Sequence, residues 1–368
     1  MKRTLIWFLF FQIKLYSQVT NTGMIDTASG VKIDKLSISA YIDAYYGKIS
    51  SNSTKDIPYF VSMNRDNELN INLAYIDLQY KSDNFRSRIV PGFGTYINSN
   101  YANENASLKN LVEASFGFKL FKKKNIWLDG GVLGSPYTNE SAISKDHLVY
   151  TRSFAPEYVP YYLSGLKLSF PEYKKFTCFL YLLNGWQQIN DLNKNKSIGT
   201  QVEYRPNKKN LINWNTYIGN EKSDIDSFNR MRYFSDIYWI YNPEGKFSIT
   251  SCAYIGNQKT LDTTKKQFNK FWGQVNFTCR YKINKSTSIS SRIEYFNDNK
   301  MVFIKPLNNV KTFETYSLSL CFNKFINEKS LFRFELRNFY SENKLYQDFN
   351  KKPSNLMFWA ISNVTVWF

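Results

Sequence analysis

The chain has 368 residues, with 48 Lys and Arg against 30 Asp and Glu, and its mean hydropathy is −0.43. This hydropathy excludes a bundle of membrane-spanning helices, because no stretch reaches the roughly 18 apolar residues that one such helix needs. Aromatic residues make up 18% of the chain, which favours strands and membrane interfaces. The net charge of +18 lies partly in lysine runs such as 121–125 and 206–210. These runs predict solvated turns, and we expect no nucleic-acid partner.

Residues 1–18 predict a secretory signal peptide. Lys2 and Arg3 precede an apolar core over 5–11 that is too short to span a bilayer, and cleavage near Ser17–Gln18 fits the pattern. A buried N-terminal helix is the alternative. The segment 19–35 is expected to be a polar lead-in, and 36–368 to be one domain.

Polar and apolar residues alternate along most of the domain, which is typical of strands with one apolar face. The stretches "LSISAYIDAYY" at 36–46 and "VEASFGFKL" at 112–120 are clear examples. Sixteen such segments begin near residues 36, 69, 85, 112, 126, 161, 176, 198, 211, 230, 246, 271, 287, 313, 330 and 357. The pattern predicts an all-β protein of about sixteen antiparallel strands.

The gaps between these segments alternate in length. Short gaps of roughly two to six residues follow every second strand, and long gaps follow the others, as in transmembrane up-and-down barrels with short periplasmic turns and long extracellular loops. The long gaps are predicted at 47–68, 97–111, 134–159, 185–197, 220–228, 257–270, 298–312 and 342–356. A soluble secreted β protein is the alternative, but a β-sandwich has no reason to sort its loops in this way.

Proline positions agree with the strand assignment, because proline cannot donate to a strand ladder. Nine of the ten prolines fall in gaps or at their edges, and only Pro91 lies inside a predicted strand. We therefore expect a bulge or an early strand end at Pro91. A change of phase near Ala74–Asp77 predicts a second bulge.

The last segment, "WAISNVTVWF", ends on Phe368. Every backbone N–H and C=O in hydrocarbon needs a protein partner, so a barrel in lipid must close. This last segment should therefore be a full strand that pairs with the first strand. Exposed aromatics near strand ends, among them Tyr46, Tyr80, Trp239 and Trp367, are expected to form interfacial belts.

Several stretches resemble the OmpL-like β-barrel porins of Gram-negative outer membranes. They include "ISAYIDAYYG", "NINLAYIDLQYKSDNFRSRI", "NYANENASLKNLVEASFGFKL" and, most specifically, "ESAISKDHLVYTRSFAPEYVPYYLSGLKLSFP" at 140–171. The resemblance is dense from about 36 to 206. It implies a porin-like barrel in the outer membrane with periplasmic termini, and the terminal Phe368 resembles the signal that the barrel-insertion machinery recognises.

A barrel of this size can enclose an aqueous channel, so we expect its charged inward side chains to line a pore for small hydrophilic solutes. The strand phase assigns Asp43 and Asp236 to the interior, together with the predicted pore-lining residues Arg86, Arg88, Glu113, Lys119, Lys167, Glu203, Arg205, Arg230, Arg232, Arg280, Arg292, Glu294, Arg333, Glu335 and Arg337. The modest positive excess suggests anion preference. Pairing of these charges across neighbouring strands is the alternative.

The long 134–159 gap is predicted to fold into the barrel and form its constriction, because a charged loop of this length usually has a role. The residues expected to carry that role are Glu140, Lys145, Asp146, Arg152 and Glu157. A surface loop over the barrel mouth is the alternative.

No enzyme pattern is present. His147 is the only histidine, so neither a His-rich metal site nor a convincing catalytic triad can be built, and we expect no cofactor. The four cysteines, Cys178, Cys252, Cys279 and Cys321, are read as free thiols on strands. The second functional hypothesis is a non-conducting barrel that serves as a subunit of a larger outer-membrane assembly, either with other outer-membrane proteins or as a homo-oligomer.

Overall fold

The computed structural model describes residues 31–51, 56–191, 193–223, 227–262 and 264–368. The predicted signal peptide lies outside the described residues, as does most of the lead-in. The last part of the lead-in is not only a polar linker, because a short strand β1 (Val31–Ile33) pairs antiparallel with the strand that follows it.

The described chain forms one sheet of β1 and sixteen long antiparallel strands, in agreement with the predicted strand count. The barrel strands are β2 (Leu36–Ile49), β3 (Glu68–Lys81), β4 (Phe85–Phe93), β5 (Leu111–Phe121), β6 (Lys124–Gly134), β7 (Tyr162–Ser169), β8 (Phe176–Leu183), β9 (Ser197–Asn207), β10 (Asn210–Asn220), β11 (Met231–Tyr241), β12 (Phe247–Leu261), β13 (Gln267–Lys282), β14 (Thr287–Asn297), β15 (Glu314–Asn327), β16 (Ser330–Tyr340) and β19 (Leu356–Trp367). A small hairpin of β17 (Tyr346–Gln347) and β18 (Pro353–Ser354) projects from the connection before β19.

The sheet closes on itself. Each barrel strand pairs with the next in sequence, and β19 pairs with β2 from Trp359↔Ile49 to Trp367↔Tyr41. Beyond that ladder, the backbones of Ala40 and Phe368 exchange two N–H···O bonds of 3.1 Å. The predicted pairing of first and last strands is therefore confirmed. Closure removes the open strand edges, whose backbone N–H and C=O groups could not form hydrogen bonds with lipid.

Side chains on the two faces of the barrel differ as the alternation predicts. The outer face presents large apolar side chains such as Ile293 and Leu318, which are 57% and 55% exposed. Their neighbours Arg292 and Ser319 point inward and are buried. An apolar exterior without covering elements fits a hydrocarbon environment, since a soluble protein rarely exposes a continuous apolar band.

Connections at the two ends of the barrel differ in length. The short ones are 82–84, 122–123, 170–175, 208–209, 242–246, 283–286 and 328–329, and the long ones are 50–67, 94–110, 135–161, 184–196, 221–230, 298–313 and 341–355. The predicted long gap at 257–270 is wrong, because β12 and β13 stay paired as far as Leu261↔Gln267 and leave only 262–266. Most residues in 257–270 are polar, so this extension of β12 and β13 lacks the apolar alternation that predicts a strand.

Two irregularities adjust the register of the first strands. The register shifts between Val90 and Pro91, as predicted from the proline that cannot donate a ladder bond. The second bulge lies at Asn72, two residues before the predicted position, because Asp43 faces Leu73 while the next residue faces Ile71. In the part of the chain that the structure describes, the helical elements are α1 (Thr95–Asn100), a 3₁₀ turn (Ser144–Asp146) and α2 (Phe154–Glu157). In the described ranges no helix has the length and apolar character to cross a membrane.

Candidate functional site in the barrel lumen

Arg88 lies between two inward-facing carboxylates. Its Nε and Nη2 donate to the two oxygens of Asp77 at 3.1 and 2.9 Å, and its Nη1 donates to Glu113 Oε2 at 2.9 Å. The pair with Asp77 is bidentate and so fixes the guanidinium plane. Sequence reasoning missed Asp77, because the bulge at Asn72 changes the phase of β3 before this position.

Two further groups of wall charges are paired, one across strands and one within β9. Arg86 Nε and Nη2 donate to the oxygens of Asp129 at 2.6 and 2.5 Å, and Lys167 Nζ lies 3.9 Å from Asp129 Oδ2. Arg205 Nη2 donates to Glu203 Oε2 at 3.3 Å. The alternative of cross-strand pairing therefore describes much of the lumen, and the charge available to a solute is smaller than the residue count suggests.

The connection 135–161, called the inner loop below, folds into the barrel. On one wall, Asp236 Oδ2 accepts a bond of 2.6 Å from the backbone N–H of Thr138. Asn139 Nδ2 donates to Asn276 Oδ1 at 3.1 Å on β13. These contacts fix the first part of the inner loop against β11 and β13.

Thr151 holds the inner loop to the opposite part of the wall. Its N–H and its hydroxyl donate to the two oxygens of Glu335, each at 2.7 Å. Arg292 Nη1 donates to the carbonyl of Thr151 at 2.5 Å, and Arg337 Nη1 donates to the carbonyl of Arg152 at 2.9 Å. Bonds to charged groups are stronger than neutral ones, so this segment is the best anchored part of the inner loop.

Beneath this segment lies a buried ion cluster of two guanidinium groups and three carboxylates. Arg292 has a nitrogen 3.4 Å from Glu140, 3.6 Å from Glu294 and 3.6 Å from Glu335, and Arg337 pairs with Glu294. The paired side chains are at most 4% exposed. Glu140 comes from the inner loop and the other four from β14 and β16, so the cluster joins the loop to the wall. Removing one member of such a cluster leaves a buried charge uncompensated.

The tip of the inner loop reaches past the middle of the barrel. Ser144 Oγ donates to Asp43 Oδ2 at 2.9 Å, and Arg333 Nη1 donates to the carbonyl of Ser144 at 2.5 Å. Lys145 Nζ lies 5.6 Å from the ring centroid of Trp367, near the end of β19 where the short connections are. The inner loop therefore enters from the long-loop end and extends through most of the lumen.

The five predicted constriction residues have different positions. Glu140 belongs to the buried ion cluster, and Glu157 is buried where its Oε2 accepts a bond of 2.8 Å from the backbone N–H of Val61. Lys145 and Asp146 pair with each other at 2.9 Å, and the Asp146 side chain is 44% exposed. Arg152 borders a cavity that is described below, and it has no carboxylate within 4 Å in the described structure.

Several predicted pore-lining cations have no carboxylate within 4 Å among the described residues. Arg232 Nε donates to Gln258 Oε1 at 2.7 Å, and Arg280 Nη2 donates to Ser248 Oγ at 3.1 Å. Lys119 also points inward and is half-buried. Arg230 differs from its prediction, because β11 begins one residue later and Arg230 lies at the long-loop end.

Aromatic side chains fill the long-loop half of the lumen, contrary to the expectation of a polar interior. The Phe60 ring, from 50–67, lies 4.7 Å from Phe154 of the inner loop, 5.4 Å from Phe339 and 5.5 Å from Trp359, between ring centroids. All four are buried. Alternation does not predict this packing, because strands such as β11 carry aromatic residues on both faces.

The same aromatic packing explains one glycine. A Cβ atom on Gly256 would lie 2.0 Å from the ring of Trp272.

Arg232 lies over the rings of Trp186 and Phe303, with 4.9 Å between its Cζ and each centroid. This guanidinium is therefore held by π faces and by an amide oxygen instead of by a carboxylate.

A cavity of about 40 Å³ remains beside the inner loop. Its lining includes Arg152, Tyr96, Tyr161 and Glu113. Arg152 is 4% exposed, its Cζ lies 4.7 Å from the Tyr161 ring centroid, and its Nε has no hydrogen-bond partner in the described structure. With about 10–15 Å³ per water molecule, the cavity has room for a few waters, so a larger solute needs the inner loop to move.

Burial in the inner loop shifts the pKa values of His147 and Glu157. Burial, together with the nearby Arg152 and Arg333 cations, lowers the pKa of His147 well below its ordinary value of 6.5. Its Nε2 bonds to the carbonyl of Ser141 at 2.9 Å. Burial also raises the pKa of Glu157, although Arg152 counteracts that rise. Both shifts belong to the docked position of the inner loop, where water is excluded.

All four cysteines are free thiols, as read from the sequence. Cys178 is exposed on the outer face, whereas Cys252 and Cys321 are buried inside the barrel. Among the described residues, no group of three or more His, Cys, Asp and Glu side chains could hold a metal ion.

The sequence profile of the family described as "Putative beta-barrel porin-2, OmpL-like" matches residues 35–366. The chain belongs to this family. Comparison with curated proteins gave no match. The OmpL-like family and the closed barrel together indicate a channel rather than an enzyme.

Solved porin structures share the fold of this OmpL-like barrel. The outer membrane channel DcaP of Acinetobacter baumannii has a TM-score of 0.63 at 9% identity, over 92% of this chain and 99% of that one. OmpF of Salmonella typhi, in complex with daunomycin, has a TM-score of 0.58 at 10% identity, over 92% and 100%. The anion-selective porin from Comamonas acidovorans has a TM-score of 0.57 at 6% identity, over 90% and 99%.

Proposed function

We propose that this barrel is a passive diffusion channel for small hydrophilic solutes in a Gram-negative outer membrane, with both termini on the periplasmic side. One observation carries the proposal: a closed sixteen-stranded barrel contains a charged loop that extends through most of its lumen. Sixteen strands enclose more space than wall side chains alone can fill. The inner loop is then the element that sets the narrowest point, with Glu140 and Arg152 on its buried side.

Anion preference is the expected selectivity. Arg152, Arg232, Arg280 and Arg333 have no carboxylate within 4 Å in the described structure, whereas most other wall cations are neutralised. Charge that is not neutralised locally acts on a passing ion at low dielectric. Reversal potentials in a salt gradient should therefore favour chloride over potassium, and a potassium preference would refute this selectivity.

The experiment for the channel itself is the deletion of 141–150, which removes the tip of the inner loop and its contacts with Asp43 and Arg333. Single-channel conductance in planar bilayers should rise severalfold. The control is a deletion of 348–352, the exposed tip of the β17–β18 hairpin, which should leave conductance unchanged. Equal conductance of the two deletion variants and the wild type would defeat the proposal.

A second function has its own supporting observation. The aromatic packing around Phe60, Phe154 and Trp272 leaves little open space in the long-loop half of the lumen. A barrel sealed in this way suits a non-conducting subunit of a larger outer-membrane assembly. Purified wild-type protein without conductance, in samples where the 141–150 deletion conducts, would favour this role.

Assembly is the remaining part of the proposal. A structure of OmpT from Vibrio cholerae, described as a trimer form, has the same fold. Its TM-score with this chain is 0.54 at 10% identity. A homo-oligomer in outer-membrane lipid is therefore the expected state of this chain. Phe368, which is 52% exposed beside β2, is the expected recognition element for the barrel-insertion machinery.

A further inference from the structure

Most of the net positive charge lies at one end of the barrel. The basic rim is defined as β1 with its turn, the seven short connections and adjoining strand residues: 31–35, 81–84, 122–124, 170–175, 206–209, 242–246, 282–286 and 324–329. It contains fifteen lysines and five carboxylates, so it carries +10 of the total +18. Seven of the eight connections at the other end are longer, yet the eight together hold 17 basic and 14 acidic residues.

Five lysines of the basic rim are available to a partner. Lys122, Lys123, Lys174, Lys285 and Lys329 are all exposed, and within the described structure none of them forms an ion pair. Several adjacent like charges repel one another unless anions lie nearby. The rim therefore fits an anionic partner better than it fits bulk solvent.

The position of the rim relative to exposed aromatic rings indicates which anion that is. Lys174 Nζ lies 5.3 Å from the Tyr173 ring centroid, Lys124 Nζ lies 5.9 Å from Phe121, and Lys246 Nζ lies 5.9 Å from Tyr281. Tyr173 is 70% exposed and Phe121 is 53% exposed. Outward-facing aromatic rings at the end of a barrel strand lie at the headgroup level of a bilayer. Ammonium groups within about 6 Å of them reach lipid phosphates.

We propose that the basic rim binds the phosphate headgroups of anionic lipids in the leaflet at the short-connection end. Lysines lie on or directly beside every short connection around the barrel, so the rim selects a shell of anionic lipids rather than one lipid molecule. This inference rests on the place of the barrel in a bilayer and not on whether it conducts. A soluble acidic protein or polymer is the competing partner, and the experiment below separates the two.

The experiment measures lipids retained by the purified full-length protein in native mass spectrometry, from nanodiscs with equal phosphatidylglycerol and phosphatidylcholine. Each lysine near an anionic surface contributes roughly fivefold in affinity. Wild-type protein should retain phosphatidylglycerol at least fivefold over phosphatidylcholine, and 0.5 M salt should reduce that preference. The variant K122Q/K123Q/K174Q/K285Q should fall below twofold.

The matched control is K265Q/K266Q/K351Q/K352Q, which removes four exposed lysines from the long-connection end and should keep the wild-type preference. Heat-modifiable migration of each variant verifies that the barrel is folded. The proposal is overturned by a wild-type protein without lipid preference, or by equal losses in the rim and control variants. It is also overturned if soluble polyglutamate binds the rim in pure phosphatidylcholine nanodiscs and displaces phosphatidylglycerol from mixed ones, because the partner is then soluble.

Discussion

Glu335→Gln tests whether the buried ion cluster holds the inner loop in the lumen. Glu335 accepts two bonds of 2.7 Å from Thr151 and lies 3.6 Å from Arg292. The amide retains one acceptor oxygen but places an NH₂ group against a donor. Losing one charge-assisted bond costs about 1.5–3 kcal/mol, and the weaker neutralisation of Arg292 adds to this. We therefore expect docking of the inner loop to weaken by about 2–3 kcal/mol, or about 30- to 150-fold.

Two measurements report that change independently. In planar bilayers, the variant should spend a larger fraction of time in states of higher conductance. In hydrogen exchange, the amide of Thr151 should lose protection by a factor in the same range, whether or not the barrel conducts. Glu328→Gln is the control, because Glu328 is exposed in the turn of the same hairpin and undergoes the same chemical change. If the two variants behave alike, the inner loop is not held by this cluster.

Three further predictions concern pH, the lipid face and assembly. When the inner loop is released, His147 binds a proton below about pH 6.5, whereas the docked His147 stays neutral. Acid should therefore loosen the inner loop and raise its hydrogen exchange. His147→Gln should reduce that acid-dependent rise. Equal rises in both proteins would contradict this. Leu318→Arg on the outer face should cost about 2–4 kcal/mol in urea unfolding from lipid vesicles, against less than about 1.5 kcal/mol for Leu318→Met. Phe368→Ala should lower the heat-modifiable fraction in isolated outer membranes, and a wild-type fraction would exclude Phe368 as an insertion signal.

The fold could be predicted from the sequence because one physical requirement acts on every strand. Each strand has lipid on one side and the protein interior on the other, which imposes a period of two. Most outward positions around Ile293 and Leu318 are apolar and follow that period. Proline added an independent signal, as at Pro91. Apolar alternation is absent where strands continue beyond the membrane, as in 257–261, because most residues there are polar.

The interior was harder to predict than the exterior. Strand phase places Arg88, Arg292 and Arg337 in the lumen, but their partners depend on contacts between residues far apart in sequence, such as Glu140 with Arg292. The packing of Phe60 against Trp359 likewise depends on contact between residues far apart in sequence. Periodicity reports which way a side chain points, and it contains no information about which loop fills the space in front of it.

The bonds between Ala40 and Phe368 constrain the order of events during biogenesis. The edge of β2 from Tyr41 to Ile49 finds its partner in β19, so a nascent ribbon of any shorter length has two sides with unpaired amides and carbonyls. Such a ribbon cannot enter hydrocarbon one hairpin at a time unless another protein covers those sides. Insertion should therefore follow translation, with the strands released into the bilayer together once the seam has formed.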